Sequence, residues 1–486
     1  MNQLRKYLCL LAVCLTVISS AQEHYGRVGS NYSPTTSLWF NPALVSDSRV
    51  FVDVHFTGAD AFFHNNYVYL PGGSLTRENL QSGSVEPRFN TRYNRINAYA
   101  DSRVYGPAFT FPIRKVVVGL TSRMRTMASI RGVDAELVNM AVDGLQRPDV
   151  FDRTFTLERM RVNALSTIDI GAVASGILKQ SGRDLHSGGV HLRRVFPLAG
   201  ASLLLRDARF ALVDSTDFLL ENLQGEFAFS DVEALSNNPG LRFVGGGWGI
   251  DLGWSWKRAS RAPGDYRPHN PSDNCAWCDY QWKLSVAVLD LGWVSFDPPY
   301  YVGEVSSTDE SSWEDYDSWN PESVDEVEAT FEDVFGVTER GDRKYRMMLP
   351  TAASVQYDRH FYNGFYVSAN AVLGVPWMRT KGIQRPSSMA IVPRWEIKRL
   401  EVAMPVSMAA MQRPTWGLML RLNSIVIGSD NLGPLLFRGD LYGSDVYVHI
   451  KYSLFRNPQC RSVKNRVSRA RHPRSGRKGH VACPDW

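Results

Sequence analysis

The feature that most restricts the fold is a two-residue alternation that returns along most of the chain, often over ten or more residues. In GSDVYVHIKYSLF (Gly443 to Phe455), Val446, Val448, Ile450, Tyr452 and Leu454 share one parity, and Tyr447, His449, Lys451 and Ser453 share the other. Successive side chains of a strand point to opposite faces, so the run has one apolar and one polar face. In GGGWGIDLGWSWK, Trp248, Ile250, Leu252, Trp254 and Trp256 align against Gly249, Asp251, Gly253, Ser255 and Lys257. In VVVGLTSRMRTMASIR, the apolar set from Val116 to Ile130 opposes Gly119, Thr121, Arg123, Arg125, Ser129 and Arg131. IVPRWEIK sets Ile391, Trp395 and Ile397 against Arg394, and TWGLMLRLN sets Trp416, Leu418, Leu420 and Leu422 against Arg421.

Length decides between the two folds that such a pattern allows. Strands of soluble proteins run mostly to about 5–6 residues, whereas about 9–11 tilted residues cross an outer membrane. A soluble sandwich would also hand the polar face to solvent, while a barrel turns it into a lumen. Three tryptophans along one face suit membrane interfaces, where amphipathic rings settle. The expected fold is therefore all-β: an antiparallel transmembrane β-barrel of about 12–14 strands, with short helices in its loops.

The N-terminus reads as a secretory leader. Arg5 and Lys6 precede an apolar run from Tyr7 to Ile18, and Ser19-Ser20-Ala21 supplies a small-residue cleavage site. Expected organisation is thus 1–21 signal peptide, 22–455 barrel and 456–486 a basic tail. The tail holds nine Lys/Arg and one Asp; removing its +8 and the leader's +2 from the net +5 leaves the body at −5. The positive charge is a terminal appendage, which argues against a nucleic-acid partner. Dense like charge with few apolar residues predicts a solvated, flexible tail on the periplasmic side. There it is a candidate contact for envelope proteins or anionic polymers.

Connections look uneven. Ile113–Lys115, Tyr362–Gly364 and Gln412–Pro414 read as tight turns. Gln81–Thr91, the helix-like DAELVNMAVDGL (Asp134–Leu145), Asp214–Pro239, Ala259–Asp279 and an acidic segment from Glu304 read as long ones. Between Glu304 and Phe335 stand twelve acidic residues and no Lys or Arg. Counting back from an inward-running last strand places Ala259–Asp279 outside the cell and the acidic segment inside. DLGW occurs twice, at Asp251–Trp254 and Asp290–Trp293. The parity of Trp282, Leu284, Val286 and Val288 would turn Asp290 toward lipid, where a carboxylate is costly. Because Leu291 and Trp293 take up the apolar role instead, a one-residue bulge near Val288–Asp290 is expected. It would turn both aspartates inward toward Arg123 and Arg125.

SLWFNPALVSDSRVFVDV, with its Asn41-Pro42-Ala43, resembles the segment before the first strand in fatty-acid-transporter-like barrels. GWGIDLGW, VAVLDLGW, MMLPTAASVQYD, IVPRWEIKRLEVAMPV and IGSDNLGPLLF follow in that order before GSDVYVHIKYSLF. Together they resemble an uncharacterised outer-membrane β-barrel family of the Bacteroidota, akin to proteins of type IX secretion and gliding, from about Trp39 to Phe455. The resemblance implies an outer-membrane location and carries no catalytic residues. One departure stands out: such barrels end on an aromatic, as Phe455 would, yet 31 residues follow it.

Candidate chemistry is sparse. Cys275 and Cys278 could form a redox pair, half a metal site or a small disulfide, or stay free thiols; without a βαβ context the disulfide is favoured, and Cys460 with Cys483 would loop the tail. The acidic segment lacks the register of a calcium loop. Candidate lumen charges are Arg123, Arg125, Arg131, Asp251, Asp290, Arg394 and Arg421, which would either select anionic solutes or neutralise one another and seal the bore. No nucleophile–base signature stands out, so neither an enzyme nor a cofactor is expected. The leading expectation is an envelope scaffold or secretion/gliding accessory that contacts outer-membrane lipid; the alternative is a conduit for a small or hydrophobic solute.

Overall fold

The computed structural model describes residues 24–72, 87–143, 151, 153–212, 218–230, 242–263, 266, 269, 277–298, 300–307, 311–313, 345–375, 381–409, 414–433 and 439–455. The segment 1–21 expected as a leader, the basic tail, most of the acidic segment, and Cys275, Cys460 and Cys483 lie outside them.

Fourteen wall strands succeed one another in chain order. They are β1 (Val52–Asn65), β2 (Arg95–Tyr105, resuming as Ala108–Ile113), β3 (Val116–Asp134), β4 (Thr154–Ser181) and β5 (Asp184–Leu212). Next come β6 (Gly245–Ala259), β7 (Tyr280–Phe296), β8 (Arg346–Met348, then Ala352–Tyr362) and β9 (Phe365–Gly374). The ring is completed by β10 (Ser388–Glu396), β11 (Leu400–Ala403, then Val406–Ala409), β12 (Pro414–Trp416, then Leu418–Leu422), β13 (Ile425–Ser429) and β14 (Gly443–Leu454). Each pairs antiparallel with the next, and β14 closes on β1 from Val52↔Leu454 to His64↔Gly443. Closure leaves the described wall without a free sheet edge, which a hydrocarbon environment demands.

The alternation is turned inside out relative to a soluble protein. On β14, Val448, Ile450 and Tyr452 are 40, 45 and 51% exposed, while Tyr447 and His449 are 0% and Lys451 1% exposed. The same holds for Leu120 and Met124 on β3 and Ile391 on β10, all exposed, against buried Arg123, Arg125 and Arg394. A water-soluble chain would bury such residues, at roughly 1.5–3 kcal/mol each; here they meet lipid. Trp248 pairs with Trp293 toward one rim, and Trp256 lies 4.6 Å edge-on to Trp282 toward the other. Eight residues of tilted strand separate the two levels, roughly 20 Å along the membrane normal. The protein is an outer-membrane β-barrel.

Tight turns lie at one end: Ile113–Val116, Ser181–Asp184, Tyr362–Phe365 and Leu422–Ile425. That end also holds Val52 and Leu454, so it faces the periplasm, and the long connections other than Ala259–Asp279 face outward. Ala259–Asp279 belongs to the turn end: Ala259 N–H donates to Arg183 O at 2.8 Å, and Ser260 N–H to Asp279 O at 2.9 Å. The acidic segment follows β7 at the opposite, outer end. Both placements reverse the sequence-based expectation. A second correction concerns Asp214–Pro239, read as a connection: it contains a strand, Phe218–Ser230, that pairs with Ala201–Leu212 of β5 and with a further strand, Tyr300–Ser307. With β4 and β5 at 28 and 29 residues, these strands build a blade that stands outside the membrane. The helix expected within Asp134–Leu145 is present as Ala135–Asp143.

Candidate functional site

A fourteen-strand ring encloses more space than wall side chains fill, since about 8 strands already suffice for a packed interior. Residues 24–51 occupy that space. They run inside the lumen as short turns (Tyr25–Arg27, Pro34–Ser37, Pro42–Ser46) with nearly every side chain buried. This plug is polar, so each of its groups needs a partner. Asn41 accepts from Ala43 N–H at 2.9 Å and donates Nδ2 to the wall carbonyls of Val286 at 3.1 Å and Trp254 at 3.3 Å. Glycines admit it: a Cβ on Gly253 would collide with Asn41 Oδ1, and one on Gly189 with the Pro42–Ala43 backbone. Ser30 Oγ donates to Glu401 at 2.7 Å, Thr35 Oγ1 to Asp53 at 2.6 Å, and Gln356 Nε2 to Phe40 O at 3.2 Å. Apolar contacts add to these, with Tyr25, Val28 and Phe40 packed on small wall residues such as Ala352, Ala390 and Ala403.

Six of the seven candidate lumen charges fall into two sets. Arg123, Arg125, Asp251 and Asp290 meet in a belt across the mid-lumen. Arg125 contacts Asp101 at 2.5 Å and Asp290 at 2.9 Å; Arg123 contacts Asp169 at 2.5 Å. Arg193 spans Asp290, Asp251 and Asp169 at 2.8, 2.9 and 3.0 Å. His191 Nδ1 lies 2.9 Å from Asp251. Asp290 reaches the lumen through a slip in register, from Ile250↔Leu291 to Leu252↔Val288. Its φ is +52°, and its backbone N–H donates to Asp251 Oδ1 at 2.6 Å. Arg394 and Arg421 lie lower, beside the plug. Arg394 pairs with Asp358 at 2.6 Å and Arg421 with Glu401 at 2.8 Å. Arg131, half-buried at the outer end of β3, is in neither set.

Directly above the belt the lumen is apolar. Phe62, Tyr99, Met127, Leu165, Val195, Val294, Phe296, Tyr300 and Tyr345 form one buried cluster. On three strands the layering follows register, with an apolar residue two positions outward of a belt charge: Tyr99 over Asp101, Met127 over Arg125, Val195 over Arg193. Below, the plug foot is pinned by Asp47, which Lys257 and Lys283 (3.3 Å) both contact. Burial alone would raise the Asp47 carboxyl, but the two ammonium groups hold it below its ordinary value. His269, from the Ala259–Asp279 connection, donates Nε2–H to Ser48 O at 3.1 Å; burial lowers the imidazole to about 4, so it stays neutral there. Cys278 is buried nearby with Leu185, Ala259 and Tyr266. Between plug and wall a cavity of about 20 Å³, bordered by Ser30, Asp47, Lys283 and Asp358, has room for one water. Among the described residues no group of His, Cys, Asp and Glu is placed to hold a metal ion.

Sequence reading missed Asp101, Asp169, His191 and Arg193, and the plug as an element. The belt partners sit on β2, β4 and β5, where the alternation is broken by apolar residues of both parities, as in HLRRVF; the plug has no period to read.

Among solved structures the chain aligns with the Ralstonia pickettii toluene transporter TbuX at 10% identity and a TM-score of 0.36, over 85% of this chain and 92% of that one. It aligns with the TodX deltaS2S3 mutant monoaromatic hydrocarbon channel at 8% and 0.39, over 90% and 95%. It aligns with a Pseudomonas aeruginosa FadL homologue at 10% and 0.28, over 89% and 98%. No curated protein matches. The model of a family of unknown function, DUF5723, matches residues 42–430, from the Asn-Pro-Ala corner of the plug to the end of β13, and the chain belongs to that family.

Proposed function

We propose that the protein is a gated conduit for a small hydrophobic solute, held in its closed state by the plug. The observation that carries this reading is the aromatic layer around Phe62, Tyr99, Phe296 and Tyr345, inside the outer half of the barrel and beyond the charged belt. A lumen that only needed sealing is already sealed by the belt and plug below. An inward-facing apolar layer at the entrance adds a site where an apolar solute exchanges water for side chains, at roughly 25 cal/mol per Å² of buried apolar surface. The plug is held by hydrogen bonds and ion pairs that a conformational change can exchange.

The test is saturable binding of an apolar fluorophore, N-phenyl-1-naphthylamine, to the protein in nanodiscs, with entry of the same probe into cells. The reading expects both, and at least tenfold weaker binding in Phe62→Asp or Phe296→Asp chains that still form heat-resistant barrels. No saturable binding, or entry unchanged when the protein is absent, contradicts it.

The outer blade favours a second reading, an envelope scaffold or a secretion/gliding accessory. A surface raised on β4, β5 and two further strands suits contact with another protein. Such a partner, if the blade is what holds it, should be lost when the blade is shortened while probe binding persists.

A further inference from the structure

We propose that the periplasmic rim of the barrel is a collar that binds the phosphate headgroups of anionic phospholipid in the inner leaflet. The collar consists of Arg114 and Lys115 in the β2–β3 turn, Lys179 at the foot of β4, Arg359 at the foot of β8, and Lys398 and Arg399 in the β10–β11 turn. All six are exposed. Among the described residues none has an acidic partner, whereas the carboxylates at this end are spoken for. Asp53, Glu396 and Glu401 point into the lumen and are buried. Asp279 is paired with Arg49 at 3.3 Å and Asp184 with Arg258 at 3.3 Å. The rim therefore presents fixed positive charge that nothing in the wall neutralises.

Position identifies the occupant. Each cation stands within two residues of an apolar side chain that faces lipid: Ile113 and Val116 flank the β2–β3 pair, Leu178 precedes Lys179, Phe361 follows Arg359, and Ile397 precedes Lys398. Their charged ends thus lie at the level where hydrocarbon gives way to headgroups, and long cationic side chains reach that level while their stems stay apolar. Arg359 lies over the Phe361 ring at 5.6 Å and Lys398 over Phe455 at 4.9 Å, as expected for cations held within an aromatic girdle. Around the ring the six fall on four separate hairpins rather than on one face. A folded protein docks on one contiguous patch; a leaflet encircles the barrel. Charge complementarity, height and circumference all fit lipid phosphate.

The test uses the full chain reconstituted in phosphatidylcholine bilayers carrying about one fifth phosphatidylglycerol, with spin-labelled lipids reporting the composition of the contacting shell. Attraction of this kind is electrostatic and screened, since the Debye length falls to about 3 Å at 1 M salt. Phosphatidylglycerol should be enriched at least roughly twofold over phosphatidylcholine at low salt, with the enrichment fading at high salt. A chain with all six cations changed to Gln should lose the enrichment while keeping its heat-resistant migration; Arg206→Gln with Arg209→Gln, on the outer blade, should keep it. Equal association of both lipids with the wild-type chain, or enrichment that survives the six changes, overturns the proposal. So does loss of enrichment on adding equimolar soluble glycerol phosphate, because the collar would then read a free phosphate rather than a headgroup in the leaflet.

Discussion

Arg193 joins three aspartates at once, so it is the residue whose loss should be felt most in the belt. Removing one member of a buried charge network leaves its partners unpaired, at about 3–5 kcal/mol. Arg193→Met should therefore lower the temperature at which the folded barrel changes migration on a gel, and do so more than Arg194→Met. The neighbouring pair also shows what was hidden in the sequence. In HLRRVF, Leu192 and Val195 are both apolar yet face opposite ways, so nothing there said which arginine turns inward; the structure buries Arg193 and lays Arg194 over Trp248 at 5.2 Å. Asp290 was legible, because the apolar parity around it changes hands within two residues and only a bulge reconciles the halves. Asp47 has a pH consequence. Its carboxyl is held below the ordinary value by Lys257 and Lys283. The stability it adds is thus present above the unfolded aspartate pKa near ~4 and is lost as pH falls through the lower folded value. Trypsin cleavage after Arg49, read after brief incubation at each pH and return to neutrality, should rise only in acid. In an Asp47→Asn chain it should already be high at neutral pH.

At the scale of elements, the wall was readable and the plug was not. A membrane strand must alternate to satisfy lipid on one side and lumen on the other, so β3, β6, β10 and β14 announce themselves. The plug touches barrel on every side; with all its faces buried there is no periodicity, and HYGRVGSNYSPTTSLWFNPALVSDSR reads as a loop. FLLENLQGEFAFS, the strand at Phe218–Ser230, was missed for a related reason. It belongs to the blade, where lipid does not enforce alternation, and Glu221, Asn222 and Gln224 interrupt its apolar residues. Two substitutions separate wall from plug. Val448→Lys puts a cation on the lipid face of β14 and should destabilise the barrel by about 2–4 kcal/mol if it lies near the bilayer centre. Gly253→Val leaves the wall a good strand residue but takes the space of Asn41. It should leave barrel stability nearly unchanged, while single-channel openings across a planar bilayer become frequent. Openings no more frequent than in the wild-type chain would mean that the plug does not depend on that notch.

At the scale of the molecule, closure of β14 on β1 fixes sidedness as well as shape. Fourteen strands put both wall ends, the tight turns and the Ala259–Asp279 connection on one side; one miscounted strand was enough to reverse that assignment from sequence. The same count makes the bore wide enough to need filling, and the plug, the belt and the aromatic layer fill it in order from periplasm to exterior. All of this depends on the apolar faces of the wall meeting hydrocarbon. Spin labels placed singly at Val446→Cys, Val448→Cys and Ile450→Cys in the reconstituted barrel test that contact directly. Lipid-facing labels should show high collision rates with oxygen and low rates with a water-soluble nickel chelate, with the contrast greatest at the site nearest the bilayer centre. Ready access of the chelate to all three labels, in a chain that stays monodisperse without detergent, would contradict that contact.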